Sequence, residues 1–184
     1  MAINLNKGDK FSFDKVPNLS KLYLGIGWEL VGTGVDIDLV IGSVDANNQG
    51  LDVVFYNQKE SSGGAIKLSG DNLTGKGDGD DEFCLIKLKE LPQKVAKIFI
   101  CLNIHQADSR GQSFASLKEA TFHIVDADNK VELANADIDN DFGQFTAVNL
   151  AVLTRVGDNW DLQLTNKGVS GNIIEMFSQL GLSS

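Results

Sequence analysis

Ile98, Ile100, Leu102 and Ile104 take every second position of Val95–His105, the strongest period-two pattern in the chain. Alternation of that kind places one row of side chains on one face of a β-strand. It recurs in short runs. Leu22, Leu24 and Ile26 share a face of Lys21–Trp28, and Val35, Ile37, Leu39 and Ile41 share a face of the next run. Further strands are expected at Leu51–Tyr56, Ala65–Ser69, Phe83–Leu88, Thr121–Val125, Lys130–Ala134, Phe145–Val156 and Asn159–Thr165. Gly157-Asp158, followed by Asn159, has the composition of a hairpin turn. Ser113–Glu119 reads as a helical turn. Only the tail changes period. Ile173, Phe177 and Leu180, with Ile174 beside them, recur at helical spacing. Asn172 and Glu175 have the spacing of a capping box, and Gly181 stands where a helix stops. No helices separate the strands, which excludes a doubly wound α/β fold. The expected fold is all-β: a β-sandwich of two mainly antiparallel sheets, built from ten to twelve short strands, with one short C-terminal helix. Two prolines and no low-complexity linker leave residues 1–184 as one domain.

One stretch does not fit any strand. Residues 70–82 hold Asp71, Asp78, Asp80, Asp81 and Glu82 against the single base Lys76, with Gly70, Gly75, Gly77 and Gly79 among them. Glycine is costly in helix or strand interiors, and neighbouring carboxylates repel. A turn needs far fewer residues. A hard divalent cation would gather those oxygens, because calcium takes roughly 6–8 oxygen ligands. The interval Asp71–Glu82 has the length of an EF-hand loop, but Leu73 occupies the third ligand place and no helices flank it. The expectation is therefore a cation site particular to a β scaffold.

A strand supplies further oxygens. Asp36 and Asp38 lie on the face opposite Val35, Ile37, Leu39 and Ile41, about 7 Å apart along the strand. Asp is depleted in strands. The pair can serve as metal ligands, as the carboxylate pair of a metal-dependent hydrolase, or as ordinary residues of an exposed sheet. Asn57, just past its strand, is a neutral oxygen donor. His105 and His123 read as structural, Arg110 as a loop support, and Trp28 and Trp160 as packing residues. No nucleophile–base signature, P-loop or zinc spacing appears.

The net charge of −9 argues against direct binding of nucleic acid or an anionic membrane. Cys84 and Cys101 sit in apolar β-patterned runs and are expected as buried thiols of a reducing compartment. The N-terminus has no apolar signal core, and no run approaches the ~20 apolar residues of a membrane span. A cytoplasmic location is expected.

These segments together resemble the TerD family of tellurite-resistance and general-stress proteins. The resemblance rests on Lys7-Gly8, Gly25-Ile26-Gly27-Trp28, Val35-Asp36-Ile37-Asp38 and Val54-Phe55-Tyr56-Asn57-Gln58. It continues through Gly70-Asp71-Asn72-Leu73-Thr74-Gly75 to Gly79-Asp80-Asp81-Glu82, and then through Ile104–Phe114, in one order to about residue 165. It implies a β-sandwich that binds calcium through Asp36, Asp38, Asn57, Asp71, Asn72, Asp78, Asp80, Asp81 and Glu82. It also implies a cytoplasmic, non-enzymatic stress protein acting with other tellurite-resistance proteins, including a membrane-bound partner. Val35, Ala115 and Phe145 depart from the family pattern without touching the acidic positions. The alternatives are a hydrolase using Asp36 and Asp38, and a ligand-binding module with structural calcium.

Overall fold

The structure, a computed structural model, describes residues 1–31, 34–69, 79–138 and 142–179. Among the described residues, twelve strands form two sheets of six. In chain order they are β1 (Ile3–Asn4), β2 (Lys10–Ser12), β3 (Lys21–Leu30), β4 (Ile37–Val44), β5 (Gly50–Val54), β6 (Ile66–Ser69), β7 (Glu82–Lys87), β8 (Lys97–Ile104), β9 (Leu117–Asp126), β10 (Val131–Asp137), β11 (Ala147–Val156) and β12 (Asn159–Val169). Two α-helices complete the description, α1 (Ala107–Arg110) and α2 (Ile173–Gln179). One sheet has the order β1-β10-β9-β3-β7-β6 and the other β2-β12-β11-β8-β4-β5. Among the described strands, all pairings are antiparallel except β1 with β10. The fold is the expected two-sheet sandwich.

The alternation explains the core. Leu22, Leu24 and Ile26 of β3 face Ile37, Leu39 and Ile41 of β4 in one apolar cluster between the sheets. The hairpin joining β11 and β12 turns at Gly157-Asp158, where the left-handed φ of 61° falls on the glycine. The segment expected as a helical turn is a short 3-10 turn over Phe114–Ser116, after which β9 begins at Leu117. β1 and β2 are too short to carry an alternation signal and exist by pairing with distant strands.

The second sheet is also covered on its outer face. Val40 and Cys101 there pack with Met176 of α2, and Phe177 and Ile173 join them. Gly42 makes room: a Cβ at that position would stand 2.7 Å from the Phe177 ring. The helix begins with a reciprocal capping box. Asn172 Oδ1 accepts the Glu175 N–H at 3.1 Å, and Glu175 Oε2 accepts the Asn172 N–H at 2.8 Å. This cap turns positions 173, 176 and 177 toward the sheet and leaves Ile174 79% exposed. Ile174 is thus not on the buried face, and Leu180 and Gly181 lie outside the described residues.

Candidate cation site at one end of the sandwich

β4 and β7 begin, and β5, β6 and β8 end, at the same end of the molecule. Ile37 of β4 is paired with Ile104 of β8, and Val54 of β5 with Ile41 of β4. Ser69 of β6 is paired with Phe83 of β7, and Glu82 of β7 with Ile26 of β3. The acidic stretch therefore leaves β6 and enters β7 beside the start of β4. One side chain joins the two sheets there. The Leu39 N–H of β4 donates to Glu82 Oε2 at 2.5 Å. β5 pairs with β4 only from Ile41 onward, so the Glu82 carboxylate serves the uncovered part of the β4 edge.

The three consecutive acids that close the stretch go three ways. Glu82 is 2% exposed and reaches between the sheets. Asp81, also buried, accepts the Trp28 N–H at 2.8 Å, while its own N–H donates to the Ile26 carbonyl at 2.8 Å. Asp80 lies on the outer face of the first sheet. The Tyr23 hydroxyl donates to Asp80 Oδ2 at 2.7 Å, and His123 Nε2 stands 3.6 Å from Oδ1. The other nitrogen of His123 is 2.8 Å from Glu132 Oε1. Burial, reinforced by the Asp80 carboxylate, pushes the Tyr23 hydroxyl well above the usual phenol range and keeps it a donor. Separate donors thus relieve repulsion among carboxylates adjacent in sequence.

The strand pair behaves differently from two solvated residues. Asp38 is on the outer face of the second sheet, opposite Asn103, yet only 3% exposed. Its carboxylate lies 3.4 Å from His105 Nδ1. Asp36 is half-buried, and its carbonyl accepts the His105 N–H at 2.9 Å. The His105 ring meets Tyr56 edge-on at 5.0 Å. Asn57, next to Tyr56, is exposed in the turn closed by reciprocal Phe55–Gln58 hydrogen bonds of 3.0 and 2.9 Å. Asp36, Asp38, Asn57, Asp80, Asp81 and Glu82 are thereby placed at one end of the sandwich. Asp71, Asn72 and Asp78 lie outside the described residues.

The donors assembled at this end are carboxylates and one amide, the oxygen set that suits calcium or magnesium rather than a soft metal. Among the described residues, no group of three or more His, Cys, Asp or Glu side chains stands in position to hold a metal ion. Cys84 and Cys101 are free and buried, one in the central core and one beneath α2, and burial pushes both thiols up.

Several residues at this end carry roles that sequence reading did not assign. Alternation marks Tyr23 only as an outward strand residue, yet its hydroxyl holds Asp80, and both histidines contact carboxylates. A signal existed for Tyr23: Gly25 and Gly27 in mid-strand mark a close approach of other atoms to the outer face of β3. Arg110 contacts Gln106 Oε1 at 3.3 Å within its own loop. Trp28 and Trp160 are both buried, and Arg155 stacks 4.5 Å above the Trp160 ring.

Comparison with known proteins gives a consistent result. A model described as TerD domain matches residues 1–180. The chain is 34% identical to the tellurium resistance protein TerD of Serratia marcescens, covering 100% of each chain. It is 34% identical to general stress protein 16U of Bacillus subtilis, over 99% of this chain and 98% of that one. The crystal structure of a homologue of the telluride resistance protein from Streptomyces coelicolor has the same fold, with a TM-score of 0.72 at 20% identity, covering 88% of this chain and 96% of that one.

Proposed function

The chain belongs to the TerD family of tellurium-resistance and general stress proteins, and on that premise we propose that it is a calcium-binding, non-enzymatic protein of the stress response. The observation that carries the reading is that strand register brings acidic and amide residues of two sheets and an intervening turn to one end of the sandwich, beside the 70–82 stretch. Asp36 and Asp38 stand at the start of β4, Asn57 in the turn after β5, and Asp81 and Glu82 at the start of β7. With Asp71, Asn72 and Asp78 they supply hard oxygens for one or two ions. Bound calcium would neutralise this acidic end and order a surface for a partner. Partners of the expected kind are other tellurium-resistance or stress proteins, including a membrane-bound one, met in the cytoplasm. No helix among the described residues is long and apolar enough to cross a membrane.

The hydrolase alternative is weakened by access, because the Asp38 side chain is only 4% exposed. The calcium reading is tested by calorimetry and thermal unfolding. Chelator-treated protein is expected to release or absorb heat on calcium addition and to gain several degrees in Tm. Asp71→Ala is expected to remove most of both effects, whereas Glu175→Ala, in the α2 cap, should leave them. No heat and no change in Tm with the unaltered protein would sink the reading.

A further inference from the structure

The carboxylate of Asp80 is seated away from the other acids. Leu24 and Ile26 point into the core, so Gly25 between them faces the outer side of the first sheet. The Asp80 carboxylate occupies the space over Gly25 that a side chain would otherwise fill; an added Cβ would collide with Asp80 Oδ2 and stand 2.5 Å from Tyr23 Cε1. Tyr23 is itself fixed by stacking on Phe83, with ring centroids 4.8 Å apart and planes 26° apart. Its hydroxyl reaches Asp80 Oδ2 at 2.7 Å, and His123, braced by Glu132, stands at Oδ1. Glu82, two residues later, sends its carboxylate through to Leu39 of the opposite sheet. Asp80 and Glu82 thus lie on opposite faces of the first sheet. Calcium holds its oxygens at about 2.3–2.6 Å, too close for both carboxylates to share one ion from these positions.

We propose that Asp80 anchors the acidic stretch instead of ligating the cation, and that Tyr23, beside the notch left by Gly25, is the positioning residue that holds it. The anchor fixes the chain just ahead of Asp81 and Glu82, so that both enter β7 already aimed. The mid-strand glycine has a purpose on this account, since it vacates the one outer-face position that the carboxylate needs. The effect on cation affinity rests on the calcium reading above, while the anchoring contact itself does not.

The test compares Tyr23→Phe, Asp80→Ala and the double variant with the unaltered protein. Tyr23→Phe keeps the ring on Phe83 and removes only the hydroxyl. In calcium titrations by calorimetry, Tyr23→Phe and Asp80→Ala are each expected to weaken binding about tenfold, the equivalent of one lost hydrogen bond to a charged acceptor. The number of ions bound should stay the same, and the double variant should bind no more weakly than Asp80→Ala alone. Gly25→Ala, which fills the notch, should reproduce the Asp80→Ala affinity. If Asp80→Ala loses an ion or abolishes binding while Tyr23→Phe binds like the unaltered protein, Asp80 is a ligand and the proposal is overturned. Urea unfolding in chelator supplies the second measurement. There the two single changes should be non-additive, and full additivity would also overturn the anchor. If the unaltered protein takes up no calcium, the functional reading fails and the anchor is judged on urea unfolding alone.

Discussion

Glu82 shows how one residue can hold two sheets together. Its carboxylate is almost fully withdrawn from water and accepts a backbone N–H from the facing sheet. Removing the side chain leaves the Leu39 N–H of β4 without that acceptor in a buried place. Glu82→Ala is therefore expected to cost about 1–3 kcal/mol in chelator, read as a lower urea midpoint with an unchanged m-value. Glu82→Gln keeps an acceptor oxygen and should cost less. The neighbouring residues follow the same logic with different partners, Asp81 on a backbone N–H and Asp80 on a phenol. Three like charges in sequence are tolerable because the turn into β7 sends them in different directions.

At the scale of elements, α2 is a lid over the outer face of the second sheet. It is short, so its stability depends on its cap and on Met176 and Phe177 packing beneath it. Losing the Asn172 cap costs about 1 kcal/mol in typical helices, which corresponds to roughly fivefold more frequent opening. Asn172→Ala is accordingly expected to raise the reactivity of Cys101 toward a thiol reagent about fivefold, because Cys101 lies under the helix. Cys84, in the cluster between the sheets, should stay unreactive until the whole domain unfolds. Equal acceleration at both thiols would show that α2 does not open independently. The helix also explains why Val40, on a face that alternation alone would assign to solvent, is buried. A second apolar layer needs only a few residues to cover it, and those residues are far away in sequence.

At the scale of the molecule, the N-terminal segment closes both sheets. β1 adds to β10 of one sheet and β2 to β12 of the other. Deleting residues 1–12 would uncover backbone donors and acceptors on both edges, the arrangement that invites strand pairing between copies. The shortened chain is expected to associate with rising concentration, as measured by light scattering after size exclusion, where the full chain keeps a constant mass. The same long-range pairing, in which residue 3 must find residue 134, is expected to slow folding relative to a chain of local contacts. The amino-acid sequence by itself determined the sandwich class, because period-two apolar runs without intervening helices can bury their faces in few other ways. It also determined the hairpin at Gly157, the capping box at Asn172 and Glu175, and the concentration of oxygen donors in residues 70–82, all of which depend on near neighbours. Only the tertiary structure decided that Asp38 meets His105, that Glu82 crosses to the other sheet, and that Asp80 turns outward to Tyr23 over Gly25. Those contacts join residues between 43 and 67 positions apart, and no local pattern encodes which strand ends will lie side by side once the sheets have twisted and stacked.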